Sequence, residues 1–345
     1  MNNLLLQALH CSNHGTRPPV WLMRQAGRYM PQYRKIKERY SFLDMLHSPE
    51  LAAEITLLPI HLLSCDAAIL FSDILIILEA LEMGLYFKEN IGPIIEKPLS
   101  QEEDVYKLPS IDVKERLSYV SETIRLLIPQ LQVPLIGFSG APFTLASYMI
   151  EGKSSKDLKT TRRWMYNHPQ TFHLLLQKLT NIIIEHLETQ ICAGVQALQI
   201  FDTWASILSP QQFTTFVFPY LKQIIEHLRP SNIPIIFFCR GSSSFLTQLA
   251  TLSPHALSLD WSCEMASSRS VIPNFIALQG NIDPCLLYAP RPTIKKVLYE
   301  LLDSMQNDPG YICNLGHGIG PDVNMDNVKY LVDAVKEYCP TSIPL

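Results

Sequence analysis

Seven short runs stand out along the chain because nearly every position in them is apolar: Asp66–Phe71, Pro134–Phe138, Ala197–Phe201, Pro234–Phe238, Ala256–Leu259, Asn274–Leu278 and Tyr311–Asn314. A strand with one face in water alternates polar and apolar residues. Runs of four to six residues that are apolar throughout read instead as strands buried on both faces. Between them the apolar spacing changes to three or four. Phe172, Leu175, Leu179, Ile183, Leu187 and Ile191 make one such helical stripe, with Gly194 as its stop. Thr293 is the expected cap of a helix carrying Ile294, Val297, Leu298, Leu301 and Met305. Asp322 or Asn324 is expected to start a last helix with Val328, Leu331, Val332 and Val335 on its face.

Such strand–helix alternation predicts a parallel sheet covered by helices, either an open doubly wound sheet or a closed barrel. No G-x-G-x-x-G follows the first run, which counts against a dinucleotide-binding sheet. The expected fold is therefore α/β, a (β/α)8 TIM barrel, with residues 1–345 as a single domain. Gly84–Lys88 is the candidate for the eighth strand.

Composition narrows the class. The 345 residues are 47% hydrophobic and 17% charged, as in globular chains. No stretch of about 18 apolar residues is free of charge, so no membrane span is expected. No short apolar run followed by small residues opens the chain, so no secretory leader is expected. Eight cysteines are scattered without a C-x-x-C pair, which reads as reduced thiols in the cytoplasm. The net charge of −4 argues against a nucleic-acid partner. Its distribution says more. From Arg17 to Arg39 seven basic residues face one acid, Glu38, so the segment carries +6 and the rest of the chain −10. An isolated basic stretch on an acidic body suits an anionic ligand met at one place. A solvated face or an organelle transit peptide would also be basic. A transit peptide, however, would not interleave its arginines with Trp21, Gly27, Tyr29, Pro31 and Tyr33.

In a (β/α)8 barrel the chemistry gathers at the C-terminal ends of the strands. Polar residues follow every run: Ser72-Asp73, Ser139-Gly140, Asp202-Thr203, Cys239-Arg240, Asp260-Trp261, Gly280-Asn281 and Gly316-His317-Gly318. In Ala67–Leu78 only Ser72 and Asp73 are polar. A lone buried carboxylate there either caps the following helix or meets a ligand with converging N–H donors. Arg24 and Arg28 lie where Gly27 and Pro31 oppose a regular helix, and two guanidiniums on an irregular loop suit carboxylates. Pairing with acids of the body is the alternative. His317 lies between two glycines that let the backbone approach a ligand or adopt positive φ. Cys313 and His317 have no third or fourth metal ligand at suitable spacing, so no metal is expected. Tyr148, early in a helix, reads most simply as core.

Four stretches carry a family resemblance. Pro19-Val20-Trp21-Leu22-Met23-Arg24-Gln25-Ala26-Gly27-Arg28-Tyr29, Phe71-Ser72-Asp73-Ile74-Leu75, Gly137-Phe138-Ser139-Gly140-Ala141-Pro142-Phe143-Thr144 and Gly316-His317-Gly318 resemble, in order, motifs of the uroporphyrinogen decarboxylases. Gln279-Gly280-Asn281-Ile282-Asp283-Pro284 agrees as well, and the likeness spans about residues 19–335. The resemblance implies a barrel, usually a homodimer, that removes the four acetate carboxyls of uroporphyrinogen III to give coproporphyrinogen III, without cofactor or metal. It implies residues 19–40 as a basic substrate-binding segment forming an arginine-rich loop over the cleft. It implies substrate contacts from Arg24, Gln25, Ala26, Gly27, Arg28, Phe42, Asp73, Tyr148, Thr203 and His317, with Asp73, Arg24 and His317 catalytic. Leu78 and Glu82 depart from the family pattern, and Arg240 stands where many members have lysine. Two rival readings are a zinc-dependent methyltransferase of the same fold family, which would need a His/Cys ligand cluster, and a non-catalytic tetrapyrrole binder.

Overall fold

The computed structural model describes residues 3–15, 17–88 and 91–339, so the extremes of the expected 1–345 domain lie outside it. Each apolar run supplies a strand: β1 (Ala68–Ile69), then, after β2 (Leu85–Lys88) and β3 (Gly92–Ile95), β4 (Leu135–Gly140), β5 (Ala197–Asp202), β6 (Ile235–Cys239), β7 (Ala256–Leu259), β8 (Ala277–Ile282) and β9 (Tyr311–Leu315). β1 and β4 to β9 form one parallel sheet in chain order. The registers Gly140 opposite Phe201 and Asp202 opposite Cys239 bring neighbouring strand ends level.

The run at Asn274–Leu278 is displaced. Ile276 N–H bonds to Pro273 O in a turn, Phe275 is exposed, and the strand runs on to Ile282. Its polar residues face buried partners: Gln279 Nε2 donates to Gln199 Oε1 at 3.1 Å and to Ser258 Oγ at 2.8 Å. Side chains that satisfy one another inside a barrel break the apolar signature of a strand.

The eighth position is not Gly84–Lys88. β2 pairs antiparallel with β3, outside the barrel sheet. The gap between β9 and β1 is filled by the segment after Pro19. Val20 forms a parallel bridge with Cys313, Cys313 N–H donates to Pro19 O at 2.9 Å, and Asp66 N–H donates to Val20 O at 2.8 Å. The segment also alternates as a barrel strand must. Trp21 and Met23 join the interior cluster with Ala67, Ile136, Ala197, Ile236 and Ile312, while Val20 and Leu22 join the outer core beneath the helices. Trp21 Nε1–H donates to Gln279 Oε1 at 3.0 Å, tying it to the interior polar cluster. Leu5, Ala8 and Leu9 of the helix Leu4–Leu9 pack into the same interior cluster.

One ion pair holds this closure. Arg17 grips Asp66 in two-pronged fashion, Nη1 to Oδ2 at 2.6 Å and Nη2 to Oδ1 at 2.8 Å, and Asp66 Oδ2 also accepts from Val20 N–H at 2.9 Å.

The helix Pro169–Ala193 stops at Gly194, whose φ is 115°. Asn324 accepts the Asp326 N–H at 2.8 Å and caps Met325–Glu337. Thr293 is no cap: Pro292 is tolerated in a first turn, and the helix Arg291–Met305 starts ahead of it. All eight cysteines are free thiols. Among the described residues no helix is long and apolar enough to cross a membrane.

Breaking a buried pair from one side leaves an uncompensated charge, at a cost of about 3 kcal/mol or more. Arg17→Leu should therefore lower the unfolding free energy measured by chemical denaturation by that much, whereas Lys329→Leu, which breaks a half-exposed pair with Asp333, should change it little.

Candidate active site

Three candidate residues stand at exits of the barrel strands. Arg24 follows the segment that closes the barrel, Asp73 follows β1, and His317 follows β9. Tyr148 reaches the same region from the helix Pro142–Glu151 that follows β4. Arg24 has φ 60°, a left-handed conformation uncommon outside glycine, and there the chain leaves the strand direction. Its side chain lies across Gly318: a Cβ on that glycine would collide with the arginine Cγ, Cδ and Nε. A Cβ on Gly316 would meet the Trp261 backbone N–H. Neither glycine has positive φ, so both are needed for close approach, by protein rather than by ligand.

The basic segment divides by role. Arg17 is consumed by Asp66, and Arg34 Nη1 donates to the carbonyls of Arg28 and Tyr29 at 3.0 and 3.1 Å. Arg24 and Arg28 are exposed and carry no ion pair among the described residues, so pairing with acids of the body does not account for them. Pro31 opens the helix Pro31–Lys37, preceded by extended Met30, which leaves 24–30 as the irregular turn expected. Gln25 faces inward. Its Oε1 accepts from Leu22 N–H at 3.2 Å and its Nε2 donates to Ala67 O at 3.1 Å, so the side chain braces the turn. Ala26 and Gly27 are half-buried in it.

Asp73 is half-buried, and its Oδ1 accepts the Leu75 N–H at 2.8 Å just before the helix Ile76–Ala80. Oδ2 makes no protein hydrogen bond among the described residues. Burial pushes its carboxyl up, opposed by the Leu75 N–H and Arg24, and Glu79 adds to the upward push. Glu79 stands behind it with Oε1 2.7 Å from His47 Nε2. One oxygen thus makes a local turn bond, and the other has no protein hydrogen bond among the described residues.

His317 is half-buried, edge-on to Phe238 at 6.0 Å and to Trp261 at 6.4 Å. Burial, then Arg24 and Arg240, push its imidazole down to about 4, with Asp260 pulling the other way. The ring is neutral at neutral pH and offers one N–H and one lone pair.

Tyr148 OH lies 3.4 Å from Ser154 Oγ, and its ring meets Trp204 edge-on at 5.9 Å. Burial raises its hydroxyl above the usual range, and both Asp73 and Arg24 act on it electrostatically. It is buried in the core, as its helix suggested, with its hydroxyl within the electrostatic reach of Asp73 and Arg24. Phe42 packs on Phe71 at 5.9 Å and on Phe87 of β2 at 4.5 Å, an aromatic wall two residues before Asp73. Thr203 is half-buried between Asp202 and Trp204.

The candidate set omitted Arg240 and Trp204, although both follow strands and the strand-exit rule would have found them. Glu82 holds Arg116 at 2.6 Å on the surface, and Leu78 is wholly buried. Among the described residues no group of three or more His, Cys, Asp or Glu is arranged to hold a metal.

The family model for uroporphyrinogen decarboxylase (URO-D) matches residues 1–338. The chain belongs to the uroporphyrinogen decarboxylase family. Within that family, the chain is 56% identical over 336 residues to a uroporphyrinogen decarboxylase of Protochlamydia amoebophila, covering 97% of this chain and 92% of that protein. It is 45% identical over 322 residues to one from Syntrophotalea carbinolica, covering 93% of each. A methyltransferase from Methanosarcina mazei superposes with a TM-score of 0.83 at 22% identity, over 97% of this chain and 98% of that one. That likeness concerns the fold alone. The family match and the decarboxylase relatives do not favour the zinc-methyltransferase reading.

The depressed His317 gives a pH prediction. Between about 4 and its ordinary 6.5 the unfolded chain binds a proton that the folded ring refuses, so stability rises with pH across that window and falls on acidification. His186, buried and also pushed down to about 4, acts in the same sense. Imidazole NMR should show His317 neutral throughout pH 5.5–8, and His317→Gln should shrink the stability loss between pH 6.5 and 4 without abolishing it.

Proposed function

We propose that this protein decarboxylates the four acetate side chains of uroporphyrinogen III, giving coproporphyrinogen III and CO2. The observation that carries the reading is the pairing of an open carboxylate, Asp73, with two unpaired arginines, Arg24 and Arg28, at one end of a barrel of this family. The substrate is a flexible ring with four inward N–H groups and eight peripheral carboxylates, and the site offers the complement of both. Asp73 accepts from the pyrrole N–H groups at the centre. Arg24 and Arg28 meet carboxylates at the rim, as bidentate guanidiniums do well.

In each cycle a proton adds to the pyrrole carbon beside nitrogen, next to the carbon bearing the acetate, making the ring iminium-like and leaving the acetate carbon conjugated to it. The bond between methylene and carboxylate then breaks, its electron pair flows into the ring, and CO2 leaves. A proton on the methylene yields the methyl group as the ring gives up the first one, so one proton is consumed for each CO2 released. Asp73 stabilises the positive ring, an interaction of a few kcal/mol in a water-poor cleft. The uncatalysed loss is so slow that the total lowering approaches ~20 kcal/mol, and desolvation and positioning supply much of it. Arg24 is too weak an acid to be the natural proton source. It orients the reacting carboxylate, with Tyr148 and Thr203 beside it. Neutral His317 serves as a hydrogen-bonding partner to substrate or to the water that delivers the proton. Gln25, Ala26 and Gly27 shape the arginine turn, which is read as reaching over the cleft, and Phe42 stands behind the Asp73 wall.

We further read 1–345 as one domain with 19–40 as its substrate-binding segment, requiring no cofactor or metal and no nucleic-acid partner. Free thiols support a cytoplasmic setting, and family likeness supports a homodimer.

Metal-free protein incubated anaerobically with uroporphyrinogen III should yield porphyrins of seven down to four carboxyls after oxidation of the products. Asp73→Asn should lower turnover by roughly a hundredfold or more while the far-UV spectrum is unchanged; wild-type rates in that variant would falsify the central role. Arg28→Ala should raise KM by roughly tenfold at similar kcat. A fall confined to kcat would place Arg28 in the transition state instead.

A further inference from the structure

The turn after β5 hangs on one buried carboxyl. Asp202 ends the strand fully buried, and its Oδ1 accepts the Thr144 hydroxyl proton at 2.7 Å. Its Oδ2 is buried without a hydrogen-bond partner among the described residues, and burial pushes the carboxyl up to about 6 against the Thr144 hydroxyl and the backbone N–H groups of Ala205 and Trp204. Thr144, equally buried, lies in the first turn of the helix that carries Tyr148. A hydroxyl has a single proton, so once Asp202 takes it the Thr144 lone pairs are left for another donor. That donor is the Trp204 N–H, 3.2 Å away. The Trp204 ring then lies edge-on against Tyr148 at 5.9 Å. On its main-chain side, Asp202 O accepts the Arg240 N–H at 3.2 Å. Thr203 is thus held between two anchored neighbours.

A buried carboxyl with one unpartnered oxygen is costly. An apolar side chain would fill the space at lower cost, but it could not direct the Thr144 proton or leave its lone pair aimed at Trp204. We propose that Asp202, acting through Thr144, is a positioning residue of this active site: it sets Trp204 against Tyr148 and holds the Thr203 turn at the cleft wall. Asp202 touches none of the proposed reacting groups itself, and besides Thr144 the backbone N–H groups of Trp204 and Ala205 also favour its carboxylate. The inference rests on the decarboxylase reading, since Tyr148 and Thr203 matter through the substrate they face.

The test compares wild type with Thr144→Val, Asp202→Ala, Asp202→Asn and the double variant Thr144→Val/Asp202→Ala, in full-length protein. Steady-state kcat and KM for uroporphyrinogen are separated, and near-UV circular dichroism reports the Trp204–Tyr148 packing. Small displacements of positioning groups cost rate steeply, so Thr144→Val and Asp202→Ala should each lower kcat by about tenfold or more. The far-UV spectrum should be unchanged and the near-UV spectrum altered. Because the two residues act in one chain, the double variant should be no slower than the worse single. Asp202→Asn keeps the oxygen that Thr144 needs and should return kcat to within about threefold of wild type. Losses that multiply in the double variant, or Thr144→Val with wild-type kcat and near-UV spectrum, would overturn the proposal. Should Asp202→Ala not fold, Thr144→Val and Asp202→Asn decide the matter alone. Absence of turnover in wild type would defeat the decarboxylase reading instead. The relay would then stand or fall on whether Thr144→Val alters the near-UV spectrum.

Discussion

The Arg17–Asp66 pair determines where the barrel closes, and most of the cleft depends on that closure. A guanidinium binding both carboxylate oxygens has little angular freedom, and Asp66 also holds Val20 by two hydrogen bonds. Those bonds put Pro19–Met23 between β9 and β1 rather than on the outside of the sheet. Once Trp21 and Met23 point into the barrel, Arg24 emerges at the strand ends, against Gly318 and beside His317. Closure and active-site geometry are therefore one constraint. The cost of desolvating Arg17 and Asp66 is offset because their remaining contacts are also hydrogen-bonded.

Charge within the cleft is arranged by distance from this seam. Asp73 is the acceptor at the centre, with Glu79 behind it and Arg24 in front. Arg28 is exposed on the turn from Arg24, and Arg240 acts on His317 from β6. An anionic centre with cationic surroundings suits a ligand of the opposite design, N–H donors inside and carboxylates outside. Burial first, then Arg24 and Arg240, keep His317 unprotonated, which prevents a third cation from competing for the same carboxylates. The basic segment alone suggested an anionic ligand; the structure adds that only part of its charge is available, because Arg17 and Arg34 brace the backbone.

The parts legible in the sequence were those governed by local rules. Seven strands showed because both of their faces are covered, and Asp73, Arg240 and His317 could be placed at strand exits because parallel barrels direct chemistry there. The eighth strand was hidden for a physical reason. Pro19–Met23 follows Pro18, opens on a second proline and forms few ladder bonds, and its place depends on Asp66 and Cys313, far away in sequence. Leu85–Lys88 has strand propensity, but Gly92–Ile95 lies close enough in sequence to take it as a hairpin. Gln279 and Asn281 concealed the true extent of β8, because their partners appear only when the barrel is closed. Tyr148 was ambiguous for a related reason. A tyrosine on a helix reads as core, which Tyr148 is, and only the fold brings Trp204 against its ring.

The state of Asp73 links binding to chemistry. In the empty protein its carboxylate is disfavoured: burial pushes it up, and only the Leu75 N–H and Arg24 oppose that push. A ring of N–H donors supplies the missing stabilisation, since hydrogen bonds to the charged form favour that form. In the proposed binding mode the substrate therefore completes a solvation shell that the protein's own donors leave unfinished. Protonation of the ring strengthens the same interaction, because the acceptor then faces a positive charge as well as N–H dipoles. An interaction stronger in the charged intermediate than in the bound ground state accelerates the reaction rather than merely tightening binding. Had the protein satisfied Asp73 fully with its own donors, as it satisfies Asp66, the carboxylate would be stable but of no use to the ring. The open oxygen of Asp73 and the filled shell of Asp66 thus separate two uses of one residue type, the proposed one in catalysis and the other in closure.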